Sequence, residues 1–224
     1  MADHILTRFD NELEKLGARI DAMAELVRAQ LAGALGALRD SDAVRAADII
    51  EQDDRVDLLD VKIEKLCMRL LALQQPVALD LRTVLSALAV NRYLERIGDA
   101  AVNIAERVDA LAAHPALLRR TRVPEMGEAA QSMVADAIAA FLESDIVRAR
   151  GVALRDGVMD DYDRENFTIL TDVMSREPSL VVPASHLLIV SRNLERLADE
   201  ATNIAEAAVF VADAKIVKHG GWGE

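Results

Sequence analysis

Two stretches of this chain place oxygen donors at helical spacing, one hundred residues apart. The first contains Glu95, Asp99 and Asn103, the second Glu195, Asp199 and Asn203, each within Leu-Glu-Arg-x-x-Asp-x-Ala-x-Asn-Ile-Ala-Glu. Between residues 92 and 106, ten positions are identical in the second copy. At about 100° per residue, Glu95 and Asp99 lie about 40° apart around a helix, and Asn103 about 80° from Glu95. Carboxylates four residues apart repel, at a cost of roughly 0.2–0.5 kcal/mol on an exposed helix. Carboxylate and amide oxygens without cysteine suit hard or borderline cations such as Mg²⁺, Mn²⁺ or iron.

A second acidic pair belongs with each stripe. Asp53 and Asp57 map onto Asp156 and Asp160 at an offset of 103 residues, as Ser41-Asp42 maps onto Ser144-Asp145. If the helices carrying them pack together, Asp53, Asp57, Glu95, Asp99 and Asn103 form one candidate metal site. Asp156, Asp160, Glu195, Asp199 and Asn203 form the other. So many carboxylates in one place require a divalent or multinuclear metal centre. The plainer alternative is a solvated face whose acids pair with Arg92, Arg96, Arg192 and Arg196, three residues before Glu95, Asp99, Glu195 and Asp199.

The elements that position these residues read as helices. Apolar residues recur every three or four positions from Leu6 to Leu35, giving a first helix over 5–38. Asp40-Ser41-Asp42 breaks it, with Ser41 as candidate N-cap of a second helix over 42–73. Pro76 closes that helix, and a third over 79–111 carries the first stripe. A fourth starts near Pro124, a fifth ends near Ser175 before Pro178, and a sixth over 183–217 carries the second stripe. The expected fold is all-α: two tandem three-helix bundles, six long antiparallel helices with internal pseudo-twofold symmetry. The expected domains are residues 1–112, a short basic linker over 113–123 that reads as a flexible solvated connector, residues 124–217, and a frayed tail over 218–224.

Bulk composition agrees. Aromatics make up 3% of the 224 residues, so Leu, Ala, Val and Ile must fill the core. The net charge of −12 argues against nucleic acid as a partner. The single cysteine, Cys67, reads as a buried small hydrophobe and points to a reducing compartment. No signal peptide or bilayer-length apolar run is evident, so the expected location is cytoplasmic, without direct membrane insertion. The four histidines form no Glu-x-x-His pair of the ferritin-like di-iron kind. There is no phosphate-cradling glycine loop and no Gly-x-Ser-x-Gly nucleophile motif.

The two Glu-Arg-x-x-Asp motifs with their Asn-Ile partners, in this order, together with Gln75-Pro76-x-x-x-Asp80-Leu81-Arg82, resemble the PhoU family over nearly the whole chain. The resemblance implies a non-enzymatic, often dimeric cytoplasmic regulator of phosphate uptake. It implies contacts with the phosphate ABC transporter, through its ATPase subunit, and with the sensor histidine kinase of the phosphate regulon. It also implies metal clusters on the bundle surface, held most directly by Glu95, Asp99, Glu195 and Asp199. Two alternatives stand beside that reading: a metal-dependent phosphohydrolase using paired metals to activate water, and a metal-free helical scaffold.

Overall fold

A computed structural model describes residues 2–217, with side chains from residue 9 onward. The frayed tail expected over 218–224 lies outside the described residues, as does the side chain of Leu6. Among the described residues every regular element is helical. The first repeat contains α1 (Ala2–Asp40), α2 (Ala43–Glu51), α3 (Asp54–Gln74) and α4 (Ala78–Ala105). Two single turns follow, α5 (Val108–Leu111) and α6 (Pro115–Leu118). The second repeat contains α7 (Val123–Glu143), α8 (Ile146–Ala153), α9 (Asp156–Arg176), a 3₁₀ turn (Pro178–Leu180) and α10 (Val181–Asp213).

The second and fifth helices expected from sequence are each divided. Asp53 N bonds Ile50 O at 3.4 Å and Val56 N bonds Asp53 O at 2.8 Å, tightening the chain between α2 and α3. The matching break has Arg155 N on Val152 O and Val158 N on Arg155 O, both at 3.0 Å. No proline marks either point. Both breaks set acids at a helix start, where the exposed N–H groups favour negative charge: Asp53 holds the N-cap position of α3, without a side-chain cap bond, and Asp156 opens α9. The third helix also stops early, at Ala105, and the sixth ends at Asp213, with left-handed Ala214 (φ 57°) as its cap.

The turns repeat closely. Ser41 and Ser144 adopt φ of 55° and 54° and end α1 and α7. The following aspartate, not the serine expected from sequence, caps the next helix: Asp42 accepts from Arg45 N and Asp145 from Arg148 N, both at 3.0 Å. The serine is displaced from that role because its left-handed backbone closes the preceding helix instead.

One buried apolar cluster runs through both repeats, from Leu16 and Met23 on α1 to Leu197 and Ile204 on α10. α4 packs on α1 and α10, and α10 on α7 and α9, so the helices carrying the two acidic stripes lie against each other. Cys67 is fully buried, as its setting in the sequence suggested. The segment over 113–123 is not a solvated connector. Leu117, Leu118, Thr121 and Val123 are buried, Arg120 pairs with Glu177, and Arg122 pairs with Glu125 and Glu165 and lies over the Tyr162 ring. Apolar burial on one side and acidic partners on the other fix it to the second repeat.

Candidate metal centre

α3 and α4 are joined by three residues, so they run antiparallel and bring their acidic stripes together. α3 presents Asp57 and Asp60 below the cap residue Asp53, and α4 presents Glu95 and Asp99. Their charges reach one another across the seam. Burial pushes Asp53 above the ordinary carboxylate range, the Gln30 amide opposes this, and Asp57 and Asp99 add to it. Burial likewise raises Glu95, with Asp99, Asp60 and Asp57 adding and Arg96 opposing. The acids that sequence alone placed on two separate helices therefore lie within electrostatic reach of one another across the α3–α4 seam, the first acidic cleft.

The second repeat does the same. Burial raises Asp156, with Asp160 adding. Burial also raises Glu195, against the opposing charge of Arg192, and Asp163, Asp160 and Asp156 add. Asp199 is pushed from 3.8 up to about 6, by burial first and then by Glu195, Asp156, Asp160 and Glu200.

The i,i+3 ion pairs of a plain solvated face are mostly absent. Among the described residues, Arg192 and Glu195 approach to 3.9 Å, while Arg92–Glu95, Arg96–Asp99 and Arg196–Asp199 form no such pair. Arg96 reaches across to α10 instead, where its Nη1 lies 3.2 Å from Oε1 of the buried Glu200. Two neighbouring polar oxygens are buried without a hydrogen-bond partner, Gln30 Oε1 and Thr202 Oγ1. The Thr202 hydroxyl still lies close enough to favour the ionised form of Asp156.

Among the described residues no three His, Cys, Asp or Glu side chains are gathered tightly enough to hold a metal ion as they stand. Each cleft is a set of electrostatically coupled acids and not a closed cage. All-oxygen donors, mutual repulsion and the unpartnered Gln30 Oε1 fit a hard cation that keeps several waters. The two asparagines stand differently from the acids. Asn103 Nδ2 donates to the Asp99 carbonyl at 2.9 Å, and Asn203 Nδ2 donates to Glu200 Oε2 at 3.1 Å.

Four residues at these clefts lay outside the sequence reading. Asp60 accepts from Asn91 Nδ2 at 2.5 Å, and Asp163 accepts from Ser191 Oγ and Arg192 Nη1, both at 2.9 Å. The same offset of 103 that pairs Asp53 with Asp156 also pairs Asp60 with Asp163, and so contained them. Gln30, 3% exposed, donates to Asp53 Oδ1 at 3.1 Å from α1, and no periodicity points to it. Thr202 replaces Val102 in the second copy, so the repeat itself conceals it.

The family of PhoU domains matches residues 20–108 and 123–208, one match per repeat. A phosphate-specific transport system accessory protein PhoU homolog from Caulobacter vibrioides is 36% identical over 94% of this chain and 92% of its own length. One from Aquifex aeolicus is 38% identical over 93% of this chain and 94% of its own. The crystal structure of PhoU from Pseudomonas aeruginosa superposes with a TM-score of 0.84 at 32% identity, covering 92% of this chain and all of that one. The phosphate transport system regulatory protein PhoU from Streptococcus pneumoniae superposes at 0.79 with 29% identity, over 94% of this chain. With two matched repeats, relatives spanning nearly its full length and the same arrangement of helices, the chain belongs to the PhoU family.

Proposed function

We propose that this protein is a cytoplasmic regulatory adaptor of phosphate homeostasis. It restrains phosphate uptake and phosphate-regulon signalling by contacting the ATPase subunit of the phosphate ABC transporter and the regulon's sensor histidine kinase. The relatives' names support the phosphate-transport setting. The observation that carries the adaptor reading is the pair of facing-helix acidic clefts, built by repeated elements around one shared core. No described helix is long and apolar enough to cross a membrane.

Each cleft holds a divalent or multinuclear metal in this reading. Asp53, Asp57, Glu95 and Asp99 serve the first, and Asp156, Asp160, Glu195 and Asp199 the second, with Asn103 and Asn203 at their margins. A cation there neutralises carboxylates that otherwise repel, and so pins α3 to α4 and α9 to α10. Two such stiffened faces on a homodimer give a rigid surface for partner proteins.

The test is a gene deletion complemented by wild type, by Glu95→Ala/Asp99→Ala or by Glu195→Ala/Asp199→Ala. Phosphate uptake and a regulon reporter are read in phosphate-rich medium, with elemental analysis of each purified protein. Deletion derepresses both readouts, wild type restores them, and each double variant loses about half of the bound metal. A deletion without effect at any phosphate level overturns the regulatory reading. Wild-type protein without metal, even after incubation with Mn²⁺, Mg²⁺ or Fe²⁺, overturns the metal reading.

A further inference from the structure

Away from the acidic clefts, α1 and α7 meet over a partly enclosed cavity of about 290 Å³. Leu35, Leu118 and Val123 form apolar walls, and the polar lining includes Arg39, Arg45 and Gln131. Two glycines shape it. A Cβ at position 127 would lie 2.9 Å from Leu35 Cδ2, so Gly127 lets the Leu35 wall sit close. A Cβ at position 36 would lie 2.6 Å from Arg45 Nη1 and 2.9 Å from its Cζ, so the guanidinium rests directly on Gly36.

The second repeat provides an internal comparison. At the offset of 103, Arg45 corresponds to Arg148 and Gly36 to Ala139. Arg148 is paired, with Nη1 3.1 Å from Glu143 Oε2 and Nε 3.7 Å from Asp145 Oδ2. Arg45 makes no ion pair among the described residues. Its nearest acids are otherwise engaged: Asp42 caps Arg45's own backbone N–H at 3.0 Å, and Arg39 Nε grips Asp40 at 2.9 Å. The glycine has let one member of a repeated arginine pair fold over the repeat junction with its fork unpaired.

We propose that this cavity binds a small organic anion, whose carboxylate or phosphate takes the Arg45 guanidinium while its apolar body lies on the Leu35, Leu118 and Val123 wall. A planar guanidinium matches such oxyanions through two parallel N–H donors. Gln131, also in the lining, supplies a further donor. Glu128, in the same lining, lies within electrostatic reach of Arg39, and Asp40 feels both Arg39 and Arg45, so the local charges balance and the anion is held by the unpaired Arg45 fork and not by a net positive field. The volume lies near the lower end for ligand pockets and selects a small ligand. The site is distinct from the metal clefts and sits where the two repeats join, so a ligand there touches both.

The experiment is titration of the isotope-labelled full chain with phenyl phosphate, benzoate and neutral benzyl alcohol, read by the amide signals of Gly36 and Gly127 and the Arg45 Nε signal. Saturable shifts with the two anions are expected. Arg45→Gln weakens binding about tenfold or more, the loss of a charge-assisted hydrogen bond pair. Gly36→Ala does the same by turning the guanidinium out, as Ala139 leaves Arg148. Arg45→Lys keeps the charge without the fork and gives an intermediate loss, and Arg148→Gln leaves affinity unchanged. No saturable shift up to about 10 mM, wild-type affinity in Arg45→Gln, or benzyl alcohol binding as well as the anions overturns the proposal.

Discussion

Asp199→Asn is expected to stabilise the metal-free protein at neutral pH and to stabilise it less in mild acid. Asp199 is pushed from 3.8 up to about 6. At 1.36 kcal/mol per unit, that shift corresponds to roughly 3 kcal/mol if the carboxylate were fully shielded from solvent. More than a third of Asp199 faces water. Screening then halves the figure or more, leaving about 1–1.5 kcal/mol. The direction follows from proton linkage. The folded state binds this proton more tightly than the unfolded chain, so stability falls as pH rises from about 4 to about 6 and stays reduced above. Removing the charge removes the whole penalty above about pH 6 and only part of it between about 4 and 6. The assay is urea unfolding in chelator at about pH 4.5 and about pH 7.5. For a chain of 224 residues, the gain at the higher pH is about 2–5 °C in Tm. On the proposed metal reading, saturating Mn²⁺ is expected to invert the comparison, because wild type would gain binding energy that Asp199→Asn forfeits. A variant that is neutral or less stable at the higher pH in chelator, or equally stabilised at both, refutes the account of the cleft as mutually repelling carboxylates.

Three other substitutions probe the fold that supports the clefts. Asn166 is fully buried, accepts Arg122 N at 2.7 Å and donates to Ser191 Oγ at 3.0 Å. Asn166→Leu strands that backbone N–H and costs about 1–3 kcal/mol, read as a drop in urea midpoint with unchanged slope; an unshifted midpoint would show that the network contributes nothing. Gly17 and Gly151 lie within α1 and α8, and a Cβ added at either would meet nothing within 4 Å. Alanine at either is expected to raise stability by about 0.5–1 kcal/mol, and a Tm that falls would expose packing the structure does not contain. A Cβ at Gly98 would lie 3.3 Å from Gln30 Oε1, whereas the second repeat has Met133 and Ala198 at these positions. Gly98→Ala and Gln30→Met are therefore expected to be coupled by about 0.5 kcal/mol or more in a double-mutant cycle, each tolerating the other better than the native partner; strictly additive effects would sink that pairing.

The long helices and their order were legible because Leu, Ile, Val and Ala recur at helical spacing over many turns. The acidic pairs were legible because duplication wrote them twice. The breaks at Gln52 and Arg155 were not. They contain no proline, and the short helices make packing contacts of their own, α2 on α1 and α4 and α8 on α7 and α10. The anchoring of residues 113–123 was hidden for a related reason. Its arginines read as solvent-seeking until Glu165, Glu177 and Tyr162, far along the chain, are known to stand opposite.

Duplication also explains where the two clefts part company. Asp53/Asp156, Asp57/Asp160, Glu95/Glu195 and Asp99/Asp199 preserve the acids, while Gln30/Met133 and Ala100/Glu200 change what surrounds them. Gln30 steadies Asp53 in the first repeat, and the corresponding Met133 has no amide to offer Asp156. Glu200 replaces Ala100 and adds a buried charge beside Asp199 alone, with Arg96 of the other repeat as its partner. A guanidinium that sits one residue from Glu95 thus compensates an acid one residue from Asp199. The first cleft yields part of its positive neighbourhood to the second, and the second carries the more strongly raised carboxylate even so. Two sites that sequence identity would make equivalent therefore differ in electrostatics, the second needing the higher pH to present its full charge.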